Sequence, residues 1–213
     1  MNKIRIMLVD DHAVVRSGFR YLLEQKADID VVGEAESGEH AYQLFTELNP
    51  DVTLMNVSMP GMGGLEALHR ILTRNSAAKA IMFSIHENVT YAAQALTAGA
   101  VGYIAKSVDT DILDAAIREV MTGNTYLSPD MAQKIALQSV VDRENPTQRL
   151  TVREFEVFRL LAEGHTVEEI ANTLNVSAKT AANYQTLIKH KLGINTAVEL
   201  VRLALKYDII TND

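Results

Sequence analysis

At 213 residues the chain has room for one large domain or two small ones, and its 47% hydrophobic and 22% charged residues exclude a disordered chain. It has no cysteine, which excludes a disulfide framework and a thiolate metal site. The net charge of −7 is uneven: residues 149–213 hold 8 Lys+Arg and 8 Asp+Glu, against 12 and 19 in residues 1–148, so a neutral C-terminal part remains open to DNA if its cations share one face.

No apolar run approaches the roughly 20 residues of a membrane span, and residues 1–5 lead straight into a short apolar strand rather than a signal peptide. The expectation is a cytoplasmic protein with no membrane partner. Short apolar runs at Ile4–Val9, Val31–Val32, Val52–Met55, Ala80–Phe83 and Val101–Ala105 alternate with amphipathic stretches at Val14–Glu24, Glu39–Leu48, Gly64–Thr73, Val89–Ala98 and Asp111–Thr122. That alternation predicts an α/β domain of (βα)5 type over residues 1–122, a doubly wound parallel sheet with helices on both faces. Right-handed crossovers place all strand C-terminal ends on one edge, where ligands of open α/β sheets bind.

Residues 123–149 are predicted to hold a helix at Pro129–Gln138, capped by Ser128, and then a polar linker over 139–148. From residue 150 to 213 the pattern is all helix. Thr151 with Glu154 and Thr166 with Glu169 have capping-box spacing. Ser177 is the predicted cap of a helix over Ala178–Leu192 that Gly193 ends, and Asn195 is the predicted cap of a last helix over Thr196–Tyr207.

Five side chains fall at the strand ends: Asp10 and Asp11 after the first strand, Asn56 after the third, Ser84 after the fourth and Lys106 after the fifth. Adjacent carboxylates suit a hard cation such as Mg²⁺, and a hydroxyl and an ammonium each suit one oxygen of a phosphoryl group. No glycine-rich loop follows the first strand, so a nucleotide cradle is not expected. Nor does an acid–base pair argue for an enzyme.

Leu8-Val9-Asp10-Asp11-His12, the run from Leu54 through Pro60 to Ala67, Ser84, and Gly99 through Tyr103 to Lys106 together resemble the receiver domain of two-component response regulators, a flavodoxin-like fold. The resemblance implies that position 56 is the aspartate that takes phosphate from a sensor histidine kinase. It further implies Mg²⁺ on Asp10, Asp11 and residue 56, phosphoryl binding by Ser84 and Lys106, and an aromatic switch at Tyr103. Asn56 departs from that pattern, because an amide is a far weaker nucleophile than a carboxylate and removes one negative charge from the metal site. The chain is therefore expected to be non-phosphorylatable and to hold Mg²⁺ weakly. Retention of Asp10, Asp11, Ser84 and Lys106 favours an isolated Asp-to-Asn variant over the alternative, a natural pseudo-receiver that regulates DNA without phosphate.

Residues 150–207 resemble the LuxR-type helix-turn-helix of NarL/FixJ regulators, through Leu150-Thr151-Val152-Arg153-Glu154, Glu169-Ile170-Ala171, Leu174-Asn175-Val176-Ser177, Lys179-Thr180 and Lys191-Leu192-Gly193-Ile194. Such a small all-α domain places its second motif helix in the major groove of double-stranded DNA. On Ala178–Leu192, residues Lys179, Ala182, Asn183, Thr186 and His190 share one face, and Ala181, Tyr184, Ile188 and Leu192 share the other, predicted to be core. Lys179 and Lys189 suit phosphates, Asn183 an adenine edge, and Thr186 a hydrogen bond or a thymine methyl. The helix start at Ser177 and Thr180 offers N–H groups to a phosphate. The family departs here at Ala181 and Tyr184, positions where a β-branched residue and histidine are usual. The resemblance also implies a homodimer on a palindromic promoter, with Val198, Val201 and Leu205 as the candidate dimer face.

Overall fold

The computed structural model describes residues 3–84, 88–141 and 145–210. The elements in chain order are β1 (Ile4–Val9), α1 (Ala13–Glu24), β2 (Ile29–Ala35), α2 (Gly38–Leu48), β3 (Val52–Asn56), α3 (Gly64–Arg74), β4 (Ala80–Ser84), α4 (Val89–Thr97), β5 (Gly102–Ala105), α5 (Thr110–Met121), β6 (Tyr126–Leu127) and α6 (Pro129–Val141). A 3-10 turn at Pro146–Arg149 precedes α7 (Val152–Ala162), α8 (Val167–Thr173), α9 (Ala178–Leu192) and α10 (Ala197–Lys206). Residues 142–144 of the expected linker, and residues 1–2 of the expected non-signal N-terminus, lie outside the described residues. The chain forms two compact units, one of Met1–Glu87 with Ala95–Gln133 and one of Asn88–Gln94 with Lys134–Asp213.

The first unit is built on a parallel sheet in the order β2-β1-β3-β4-β5-β6. β3 and β4 are buried at every position, which is why they read as continuous apolar runs rather than as alternating ones. On one face Ile6, Leu8, Leu54, Ile81, Phe83 and Ile104 pack with Leu23 of α1 and Leu113 and Ile117 of α5. Each such side chain contributes roughly 1.5–3 kcal/mol on leaving water. Phe19 meets Phe83 edge to face at 4.5 Å between centroids.

The strand order changes direction between β1 and β3, the switch point at which open α/β sheets leave a crevice. β6 is an element beyond the five strands expected: Gly102 and Tyr103 pair with Tyr126 and Leu127 in parallel. With two residues, it carries no periodicity that sequence reasoning can register.

In the second unit the 3-10 turn and α7 to α10 surround Phe155, Phe158, Ile170, Leu174, Ile188 and Leu200. The same unit includes Asn88–Gln94, the start of α4. There Asn88 Nδ2 donates to the Tyr207 carbonyl at 3.3 Å, Thr90 Oγ1 donates to the same carbonyl at 3.3 Å, and Tyr91 Oη donates to the Ile209 carbonyl at 3.2 Å. These groups bond the carbonyl of the α10 C-cap residue, Tyr207, and one just beyond it, both past the reach of intrahelical donors.

The loop after β3 returns onto the strand so closely that only glycine fits at the start of α3. A Cβ on Gly64 would lie 1.9 Å from the Asn56 carbonyl oxygen, a clash with backbone that no rotamer relieves. Gly64→Ala is therefore expected to destabilise the first unit by about 2 kcal/mol or more, read from urea denaturation. An unchanged midpoint contradicts the close approach.

Candidate functional site

The sheet delivers the acidic pair from the end of β1. Asp10 is 4% exposed, and its Oδ2 is in ion-pair contact with Lys106 Nζ from the end of β5. Lys106 is itself anchored by its backbone N–H, which donates to the Ser84 carbonyl at 2.7 Å, and its ammonium stands 5.9 Å from the Phe83 ring centroid. Asn56 Nδ2 donates to Asp11 Oδ1 at 2.9 Å and to the Ser58 carbonyl at 2.7 Å. The ends of β1, β3 and β5 are thus joined by side-chain contacts at one edge.

Ser84 belongs to the same edge, buried at the end of β4 and opposite Ala105 in the register, one residue before Lys106. Tyr103 lies one step back from that edge, opposite Met82, and is 1% exposed. It lines a cavity of about 220 Å³ with Ile104, Val108, Ile112, Tyr126 and Met131.

His12 was not singled out from the sequence. Its backbone N–H donates to Asp10 Oδ1 at 2.9 Å, and its Nδ1 lies 3.1 Å from Asp10 Oδ1 and 3.2 Å from Asp11 Oδ1. Oxygen or nitrogen atoms of Asp10, Asp11 and His12 all lie within 4.8 Å of one another, close enough to share a cation. The sequence signal was the residue directly after an Asp-Asp strand end, too common a pattern to read alone.

In the second unit the helix ends follow the caps. Thr151 and Thr166 form both expected capping boxes, and Ser177 Oγ accepts from the Thr180 N–H at 3.1 Å. Gly193 ends α9 in the left-handed region at φ 67°. The last helix is capped by Thr196, not by Asn195, because Thr196 completes its own capping box with Glu199. Asn195 instead donates its backbone N–H to Glu199 Oε2 at 2.7 Å. The backbone N–H groups of Asn195 and Thr196 hold the Glu199 carboxyl below the ordinary glutamate value.

On α9, Lys179, Asn183, Thr186 and His190 are exposed, while Thr180, Ala182 and Lys189 are half-buried. Ala181, Ile188 and Leu192 are buried, whereas Tyr184, expected in the core, is only half-buried. On α10, Val198 is exposed and Val201 and Leu205 are half-buried.

Two contacts that fix α9 and the turn before it were not foreseen. Lys191 Nζ of α9 donates to Glu154 Oε2 of α7 at 2.7 Å, so one carboxylate serves both the α7 cap and the anchoring of α9. Arg153 donates to the Leu174 carbonyl at 2.6 Å, closing the end of α8. Capping spacing reveals the local half of Glu154's role, but its partner 37 residues away has no sequence signature.

A family model described as the response regulator receiver domain matches residues 6–118, and one described as bacterial regulatory proteins of the luxR family matches residues 148–204. The chain is 38% identical to the response regulator UvrY of Escherichia coli (strain K12) over 208 residues, covering 97% of this chain and 95% of that one. It is 36% identical to the response regulator GacA of Pseudomonas aeruginosa over 209 residues, covering 97% and 98%. In structure it is similar to RcsB from Salmonella enterica serovar Typhimurium bound to promoter P1flhDC in the presence of phosphomimetic BeF3⁻, with a TM-score of 0.71, 27% identity, and coverage of 95% of this chain and 98% of that one. A two-component response regulator of the LuxR family from Aurantimonas sp. SI85-9A1 matches 65% of this chain and 99% of its own at 42% identity and a TM-score of 0.63.

Burial works to raise the Glu154 carboxyl, but the Lys191 ammonium and the Thr151 N–H outweigh it, and the net shift is downward from 4.5. A depressed folded value means stability that is complete above the unfolded value and is lost as pH falls through the folded one. Glu154→Gln is expected to cost about 1.5–3 kcal/mol at neutral pH. It should also flatten the acid limb of stability below about pH 4.5, read from denaturation midpoints across pH. A variant with wild-type stability at neutral pH and an unchanged acid limb contradicts the shared role.

Proposed function

The chain belongs to the NarL/FixJ class of response regulators, transcription regulators that join a receiver domain to a LuxR-type DNA-binding domain, and we propose that its receiver takes no phosphate. The carrying observation is the amide of Asn56, which donates to Asp11 from the position where the resemblance places the phosphoacceptor. Transfer to an aspartate needs a carboxylate oxygen as nucleophile. An amide has no anionic oxygen to attack with, and its phosphorylated product would not persist in water.

The remaining parts keep their chemistry. Ser84 and Lys106 would each take one phosphoryl oxygen in a version with a carboxylate at position 56, and Tyr103 would follow the serine. Receiver domains bind Mg²⁺ through acidic residues, and Asp10 and Asp11 supply hard oxygen donors of the right kind. The fit is partial. Asp10 is engaged by Lys106 and Asp11 by Asn56 Nδ2, so a cation has to displace an N–H donor at either one. When bound, Mg²⁺ would offset charge on a transferred phosphoryl group; this chain's own residues offset the charge of Asp10 and Asp11 instead.

Retention of Asp10, Asp11, Ser84 and Lys106 supports an isolated Asp-to-Asn change in an otherwise complete pocket. An asparagine codon in the native gene would refute that account in favour of a natural pseudo-receiver.

The output is DNA. α9 is the groove helix, with Lys179, Lys189 and the N-terminal N–H groups near Ser177 and Thr180 for phosphates. Asn183, Thr186, Ala182 and His190 face the bases. RcsB, which this chain resembles, is described as two dimers bound to two DNAs. Here a dimer over a palindrome would use Val198, Val201 and Leu205 of α10, of which Val198 is 61% exposed. A resting state in which the receiver restrains DNA binding is the arrangement expected of the unphosphorylated chain. In a phosphorylatable version, a sensor histidine kinase would shift that equilibrium.

Acetyl phosphate with Mg²⁺ is expected to leave intact mass and DNA affinity unchanged, and Asn56→Asp is expected to restore both responses. A gain of one phosphate on the unaltered chain refutes the proposal. Residues 150–213 alone should bind DNA more tightly than the full chain in paired isotherms. Equal affinity, or nanomolar binding by the untreated full chain at physiological salt, favours the phosphate-independent regulator instead.

A further inference from the structure

We propose that Leu187 is a specificity-determining residue that reads thymine methyl groups beside the base edge taken by Asn183, an inference that rests on α9 being the groove helix. Leu187 is 43% exposed on that helix, whose core side is already supplied by Ala181, Ile188 and Leu192. It follows Asn183 by one turn and precedes His190 by three residues, so Asn183, Leu187 and His190 form one continuous stripe. The sequence places the polar side of α9 on Lys179, Ala182, Asn183, Thr186 and His190, and that selection passes over Leu187 because it sits on the flank between the polar and buried faces.

A second observation bears on the same stripe. Thr186 Oγ1 donates to the Ala182 carbonyl at 3.1 Å, so its hydroxyl proton is committed within the helix. Thr186 then offers its methyl group and an acceptor lone pair, not a donor. Two neighbouring residues therefore present apolar groups beside a single amide.

In the major groove only thymine carries an apolar substituent; guanine, cytosine and adenine edges show donors and acceptors alone. A leucine against those edges strips water from polar groups and returns no hydrogen bond. Against a thymine methyl it removes two apolar surfaces from water together. With Asn183 matched to an adenine, the half-site core is an adenine adjoined by one or two thymines. Lys179 and Lys189 supply cations that hold the phosphates and carry no sequence information.

The test uses the full chain. In vitro selection from a random duplex library defines the half-site, and each thymine in it is then replaced by deoxyuridine, which lacks only the C5 methyl. The wild-type chain should lose about four-fold in affinity at one or two thymines per half-site, the worth of one buried methyl group. Leu187→Ala, at an exposed position that does not threaten folding, should bind more weakly and lose the sensitivity at one or more of those thymines, any remainder being carried by the Thr186 methyl, while Leu187→Met keeps all of it. Deoxyuridine that is neutral at every position, or equally harmful to Leu187→Ala, overturns the role of Leu187 and leaves the groove helix intact. A library that yields no enriched sequence overturns the groove-helix reading and this inference with it.

Discussion

Two carboxylates at the end of one strand set the problem that the rest of this pocket solves. Asp10 and Asp11 are adjacent in sequence, and Asp10 is buried, so their charge needs partners. The parallel sheet brings those partners from β5 as Lys106 and from β3 as Asn56, while His12 lies against both acids from the same turn. Asn56 then acts as a fixed hydrogen-bond donor where a carboxylate in its place would repel Asp11 and call for a cation. The amide thus supports the acidic pair through an uncharged partner, and on the proposed reading it stands where a phosphoryl would otherwise be accepted.

That exchange has consequences along the sheet. Lys106 is bonded through its main chain to Ser84, and Ser84 pairs in register with Ala105, two residues beyond Tyr103. Backbone hydrogen-bonded across β4 and β5 therefore links the strand-end pocket to the stretch that holds the buried tyrosine. In the second unit, rigidity comes from a different source. Glu154 ties α9 to the start of α7, and Arg153 closes the end of α8, so α9 is held by charged groups on one side while Lys179, Asn183, Thr186 and His190 stay exposed.

Much of this was legible in the chain itself. Buried strands such as Val52–Asn56 announce themselves as apolar runs, and capping boxes at Thr151 and Thr166 mark helix starts because the reciprocal bonds are local. The strand-end side chains were legible because a (βα)5 pattern fixes which edge they share. What escaped was short or non-local. β6 has two residues, and each pairs with a residue of β5 that lies 24 positions earlier, as Tyr126 does with Gly102. Thr196 rather than Asn195 caps the last helix because Glu199 answers it at the spacing of a capping box. The grouping of Asn88–Gln94 with the second unit depends on contacts more than 50 residues distant, such as Gln94 Nε2 to the Thr147 carbonyl at 3.0 Å.

The central claim is that the Asn56 amide, donating to Asp11, stands in for the cation and closes the site to phosphate chemistry. The direct measurement is the side-chain amide resonance of Asn56 in the full chain during Mg²⁺ titration, carried through the concentration that saturates the Asn56→Asp protein. The account predicts that the two amide protons keep their shifts and their slow exchange across that range. A saturable shift at the concentrations that fill the aspartate variant would mean that the amide yields its place to the ion, and would contradict it.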